Sequence, residues 1–159
     1  MAKTVVLGVS GGIAAYKACD IVSKLRKEDI NVNVIMTKHA AEFVSALTFQ
    51  SLSQNFVAVD MFDQVENWDI EHISLAKKAD VFLIAPATAN IIGKIANGIA
   101  DDMLSTTVMA TKSPVLIAPA MNTNMYENTI TQTNISKLKS LDYKFIEPRD
   151  GRLAWGDIG

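Results

Sequence analysis

Two segments of this chain are near copies of one another, and each ends in a way that few folds can use. Residues 81–87 read VFLIAPA and residues 115–120 read VLIAPA. Each is a continuous apolar run rather than an alternating one, the pattern of a strand covered on both faces. Each closes near a proline, which has no N–H for a ladder and stops the strand at its carboxyl end. An asparagine follows within a few residues in both, Asn90 and Asn122. Thr4–Val9 is a third buried run, ended by Ser10-Gly11-Gly12, and Asn31–Met36 a fourth. Strands buried on both faces require helices on both sides of a parallel sheet.

The intervening segments supply those helices. From Ile13 to Lys27 the residues Ala14, Ala18, Ile21, Val22 and Leu25 recur at helical spacing while Lys17, Lys24 and Lys27 face away. Ala40 to Leu52 reads as a second helix with Phe43, Leu47 and Leu52 toward the sheet. Val57 to Asp60 reads as a further short strand, and the stretch through Asn67 and Trp68 as a loop. Helices are expected over Thr88–Asn97 with Gly98 as C-cap, over Asp102–Ala110 and over Thr131–Ser140, with a last strand over Tyr143–Ile146. This alternation predicts an α/β fold: a doubly wound, Rossmann-like or flavodoxin-like parallel sheet with helices on both faces. With 159 residues the chain is expected to form a single domain over 1–159.

Composition narrows the function classes. Apolar residues at 49% and charged residues at 20% exclude intrinsic disorder. A net charge of -2 with no run of like charges offers no footprint for a phosphate backbone, so no nucleic-acid partner is expected. No apolar stretch approaches the roughly 18 residues of a membrane span, and MAKTVVLGVS lacks the apolar block of a secretion signal. No membrane association and a cytoplasmic location are therefore expected. Cys19 is the only cysteine, which rules out an internal disulfide and a cysteine-based zinc site. No metal site is expected, since only His39 and His72 remain as nitrogen ligands.

In doubly wound sheets ligands bind beyond the carboxyl ends of the strands. The candidate positions are Ser10 to Gly12, Thr37 and Lys38, Pro86 to Asn90, and Pro119 to Asn122. The loop GVSGGIAAYK sets glycines between strand and helix, where backbone N–H groups favour an anion, although a tight turn would also want small residues there. It is neither GxxxxGK[ST] nor GxGxxG. Thr37 and Lys38 hold the place where an NAD site needs a carboxylate, so NAD is disfavoured while Lys38 leaves NADP open. His72, in DIEHISLAKKAD, can reach the same end of the sheet, and His39 ranks below it. The Met and Tyr residues of MNTNMYEN are either packing or a binding wall. Asp101-Asp102 reads as helix capping.

Four ordered motifs, GVSGGIAAYK, HISLAKKAD, PATAN from Pro86 to Asn90 and PAMNTNMYEN from Pro119, resemble the homo-oligomeric flavin-containing cysteine decarboxylases over nearly the whole chain. The resemblance is nearest to the branch serving coenzyme A biosynthesis. It implies FMN at a contact between subunits of a homotrimer, held by Ser10, Gly11, Gly12, Thr37, Phe43, Thr88, Ala89, Asn90, Ile91, Ser105 and Ala120. It assigns His72 as the essential histidine and base, Asn122 as the asparagine holding the substrate carboxylate, and Met125 with Ala154, Trp155 and Gly156 to the substrate side.

The implied reaction is FMN-dependent decarboxylation of 4'-phosphopantothenoylcysteine to 4'-phosphopantetheine. A cysteinyl carboxylate leaves a carbanion with no electron sink unless the carbon bearing sulfur is first oxidised. Hydride loss to FMN, with His72 assisting thiol deprotonation, gives a thioaldehyde, and loss of carbon dioxide then gives an ene-thiolate. In the family the hydride returns and a cysteine acid in a C-terminal clamp protonates the intermediate. Here Leu153-Ala154-Trp155-Gly156-Asp157 puts Trp155 in that cysteine's place. An indole N–H has no accessible acidic proton, so the last step lacks its family donor. The family continues past the point equivalent to Gly159, which implies truncation at the C-terminus and a linked synthetase domain. Two alternatives stay open: a peptidyl-cysteine oxidative decarboxylase of peptide antibiotic maturation, which needs no clamp cysteine, and a non-catalytic flavin-binding regulatory subunit.

Overall fold

The computed structural model describes residues 3–59 and 68–147, with 68–72 described by their backbone alone. The four apolar runs are strands: β1 (Thr4–Val9), β2 (Asn31–Met36), β3 (Val81–Ala87) and β4 (Val115–Pro119), followed by a two-residue edge strand, β5 (Lys144–Phe145). All pairings are parallel, in the order β2-β1-β3-β4-β5. This is the doubly wound sheet that the alternation of elements predicts, in the flavodoxin-like order with its reversal between β1 and β3.

Strand side chains alternate between two cores, as the period of a strand requires. Leu7 and Val9 of β1 with Val32, Val34 and Met36 of β2 pack against α1 (Lys17–Lys27) through Ala18 and Val22, and against Phe49. Val6, Phe82, Ile84, Val115 and Ile117 point the other way. They meet α5 (Ala89–Ala96) through Ile91, Ile92 and Ala96, α6 (Met103–Ala110) through Met103, Leu104 and Val108, and α8 (Thr129–Ser140) through Ile135 and Leu138. The second core admits helix α6 close to β1: a Cβ built on Gly8 would lie 2.4 Å from Leu104 Cδ1.

Several boundaries differ from the sequence reading. Ile13–Tyr16 is a 3₁₀ turn leading into α1. The helix expected over Ala40–Leu52 is two pieces, α2 (Ala40–Phe43) and α3 (Ala46–Ser53), because Val44 is extended and the Ser45 hydroxyl accepts from Thr48 N–H to start a new helix. That restart changes the phase, so Phe49 is fully buried while Phe43 and Leu47 are 54% and 69% exposed rather than facing the sheet. No strand forms over the described residues 57–59: Ala58 makes an isolated parallel bridge with Ile35, and Asp60 lies outside the described residues. Trp68 opens a helix, α4 (Trp68–Lys78), instead of ending a loop. Asn122 and Asn128 cap α7 (Thr123–Glu127) and α8. Asp102 caps α6 through a capping box with Ser105, as the acidic pair suggests.

Candidate functional site

The chain leaves β1 toward α1 on one face of the sheet and leaves β3 toward α5 on the other, so their carboxyl ends part. The crevice this opens is a cavity of about 830 Å³, within the range that holds a cofactor-sized ligand. Ser10, Gly11, Gly12, Thr37, Phe43, Thr88, Ala89, Asn90, Ile91, Ala120, Asn122 and Met125 all line it. Residues proposed from four separate segments therefore share one wall.

Its donors are arranged for an anion. No described residue accepts from the N–H groups of Gly11 and Gly12. The Thr37 hydroxyl oxygen accepts from Ala40 N–H at 3.1 Å and the Thr88 hydroxyl oxygen from Ile91 N–H at 3.2 Å. Each hydroxyl thus keeps its proton available toward the crevice. Asn122 behaves similarly: Oδ1 accepts from Met125 N–H at 2.8 Å, fixing the side chain while the two Nδ2 protons stay available. Ile13, Phe43, Ile91, Met121 and Met125 supply an apolar wall.

Gly11 explains how the first two strand ends come together. A Cβ on it would lie 2.3 Å from His39 Cβ and 2.9 Å from the His39 carbonyl carbon. Those atoms belong to the start of α2 and cannot rotate aside. Gly11→Ala should therefore push the two loops apart, costing about 1–3 kcal/mol of stability and lowering the melting temperature by roughly 2–12 °C. Gly12→Ala, whose Cβ would sit 3.7 Å from Thr88 Cγ2, should leave the melting temperature nearly unchanged. Thermal melts of the two variants check the contrast, and a Gly11→Ala melt equal to the parent's would contradict it.

One expected site residue lies elsewhere. Ser105 is buried and does not line the cavity. Its hydroxyl accepts from Asp101 and Asp102 N–H at 3.1 and 3.2 Å and donates to Asp102 Oδ1 at 2.6 Å, so a structural role occupies it. His72 is in α4, with its side chain outside the described set. The C-terminal end of α4 lies at the amino end of the sheet, where the Thr111 hydroxyl donates to Ala76 O at 2.8 Å just before β4. Position 72 is in the other half of this helix. Ala154, Trp155 and Gly156 lie outside the described residues.

The sequence reading missed Ile13, Ala14, Val59 and a charged corner at Lys94, and ranked His39 low, yet all line the cavity. Lys94 Nζ donates to Asp101 Oδ1 at 2.9 Å and lies 3.9 Å from Asp102 Oδ2. The corner forms because the chain doubles back after α5, with Gly98 at φ +71° and Ile99 N–H donating to Lys94 O at 2.9 Å. Gly98 was the available signal. The hydrogen bond from Lys94 holds the Asp101 carboxyl below its usual range. A depressed carboxylate pKa stabilises the fold above the unfolded-state value and loses that effect as pH falls through the folded one. Exposure of Asp101 keeps the contribution small. Among the described residues no three His, Cys, Asp or Glu side chains gather to hold a metal.

A model of the Flavoprotein family matches residues 1–159, the whole chain. The chain belongs to the Flavoprotein family. This flavoprotein is 54% identical over 99% of its length to the coenzyme A biosynthesis bifunctional protein CoaBC of Bacillus subtilis, of which it spans 39%. It is 47% identical over its full length to a probable phosphopantothenoylcysteine decarboxylase of Streptococcus mutans, covering 90% of that protein. Among solved structures, it matches a PPC decarboxylase cysteine-to-serine mutant complexed with pantothenoylaminoethenethiol, with a TM-score of 0.87 and 33% identity over 100% of this chain and 89% of the other. It also matches the FMN-dependent cysteine decarboxylase TvaF of thioviridamide biosynthesis at a TM-score of 0.85 and 26% identity, over 92% and 90% of the chains. The chain spans well under half the length of the bifunctional relatives it matches.

Proposed function

We propose that this flavoprotein is an FMN-dependent decarboxylase of 4'-phosphopantothenoylcysteine, carrying out the decarboxylation step of coenzyme A biosynthesis. The observation that carries the reading is the meeting, in one crevice, of an anion cradle, an apolar wall and the free amide donors of Asn122. The cradle and wall fit FMN: N–H groups of Gly11 and Gly12 with the Thr37 and Thr88 hydroxyls for its phosphate, and Ile13, Phe43, Ile91 and Met121 for its ring. When bound, FMN supplies reversible hydride acceptance, the electron sink that a cysteinyl carboxylate lacks.

The chain's own residues do the rest. Asn122 Nδ2 donates to the substrate carboxylate and holds it beside the wall. His72 takes the thiol proton as general base. Met125 and Phe43 exclude water. Ile13, Tyr16, Phe43 and Leu47 are all more than half exposed, and Ile13 and Phe43 line the crevice. That apolar rim supports a homotrimer in which a second subunit covers the cofactor. A linked synthetase domain, as the short span of the bifunctional relatives suggests, belongs to the same reading. No helix among the described residues is long and apolar enough to cross a membrane, and we place the protein in the cytoplasm.

A second reading is favoured by Trp155 and by the likeness to TvaF: oxidation and decarboxylation of a cysteine that stop at the ene-thiol. One experiment separates the two. Purified protein should be yellow with an FMN spectrum and scatter light as a trimer. Product mass analysis should show carbon dioxide loss from phosphopantothenoylcysteine and none from a cysteine-ending peptide. Protein that stays colourless after adding FMN refutes both, and turnover of the peptide alone reverses the order.

A further inference from the structure

The hydrogen-bonded ladder between β1 and β3 ends at Gly8 and Ile84, just before the two chains part. Beyond that point Ser10 joins them. Its N–H donates to Pro86 O at 3.2 Å, its Oγ donates to the same carbonyl at 2.6 Å, and Thr88 N–H donates to Oγ at 3.0 Å. A hydroxyl has one proton to give, and this one is engaged inside the protein. Ser10 is 1% exposed, so a ligand in the crevice meets almost none of it. Its two neighbours differ: the N–H groups of Gly11 and Gly12 have no described acceptor.

We propose that Ser10 is a positioning residue, a bolt across the mouth of the β1–β3 crevice, and not a donor to the bound ligand. Its N–H adds one more backbone bond to the pairing, and its side chain replaces the step after that, where Thr88 N–H meets Oγ. It pins Thr88, whose own Oγ1 caps α5 through Ile91 N–H, at a set distance from Gly11 and Gly12. The donors of the two loops are thereby held in register across the gap, while the backbone that a continued ladder would consume remains available. Only a small hydroxyl-bearing residue does this in so closed a place. A methyl in its stead leaves Pro86 O with one donor fewer and Thr88 N–H without its acceptor, both beside an apolar core.

The affinity arm of the test rests on the flavin reading, and the exchange arm does not. Amide hydrogen exchange at Thr88 should be slow in the ligand-free full chain and at least tenfold faster in Ser10→Ala. Binding of FMN should weaken in Ser10→Ala by at least tenfold, and that of riboflavin, which lacks the phosphate those donors would hold, by less. FMN affinity left at the parental value while Thr88 exchange is faster would detach the bolt from the cradle and overturn the proposal. So would unchanged Thr88 exchange in the variant. If wild-type protein binds neither flavin, the flavin reading falls while the exchange data still decide the bolt. Should Ser10→Ala fail to fold, a wild-type Thr88 amide that exchanges as fast as an unstructured one overturns the proposal by itself.

Discussion

His72→Asn is expected to leave the bound flavin in place and slow its anaerobic reduction by substrate by a factor of about 10²–10⁴, the usual contribution of a positioned general base. Asparagine keeps similar size and hydrogen-bonding capacity but cannot titrate between pH 5 and 8 as histidine does. On the proposed assignment His72 serves proton transfer and not the cofactor, so flavin content should match the parent protein. Position 72 lies on α4, the helix that leads into the first proline-ended strand. Stopped-flow bleaching of the flavin with phosphopantothenoylcysteine measures the effect, alongside the flavin-to-protein absorbance ratio. A variant reduced at the parental rate would remove His72 from proton transfer, and one purified without flavin would move it to cofactor binding.

Asn122→Asp should damage turnover by a different route, with little cost to the fold. The side chain caps α7 through Oδ1 and Met125 N–H, and aspartate caps a helix as well as asparagine does. What changes is the other arm of the side chain, where an NH₂ donor becomes a carboxylate oxygen facing the substrate carboxylate. Two like charges about 4 Å apart at an effective dielectric near 20 repel by about 4 kcal/mol, roughly 10³ in affinity. KM should rise by that order at pH 8. The same repulsion raises the new carboxyl's pKa in the complex, so the defect should shrink as pH falls and the group becomes protonated. Asn122→Ala provides the contrast: it loses the cap, about 1 kcal/mol, and the donors, without the repulsion or the acid-side recovery. Steady-state kinetics from pH 5.5 to 8.5 with parallel thermal melts separate the cases. Wild-type KM for Asn122→Asp at pH 8 would show that the carboxylate binds elsewhere.

What could be read from the amino acids follows from local rules. Buried parallel strands leave continuous apolar runs, and all four full strands were recognisable by that pattern. Proline and glycine punctuate the strand ends because their covalent geometry dictates where a ladder stops, and those ends define the crevice. The same rules place the glycine-rich and asparagine-containing loops at the site, with most of the cavity wall. Ser45 was the local exception: its cap restarts the helix and turns Phe43 and Leu47 outward, which the apolar spacing alone did not reveal.

Tertiary structure decided the properties that depend on which atoms meet across the sheet. Ser10 and Thr37 look alike in the sequence, as small hydroxyl residues after a strand. One has its proton buried against Pro86 O, across 76 residues of chain, and the other keeps its proton toward the crevice. Ser105 resembled a ligand and is held in the cap of α6, while Lys94 enters the wall because the loop at Gly98 folds back. The reason is clearest at Ser10. A residue's type sets what hydrogen bonds it is able to make, but at Ser10 the partner that takes them is 76 residues away and only the folded chain brings it within reach, whereas Ser105 and Lys94 are engaged within seven residues, at Asp102 and Asp101.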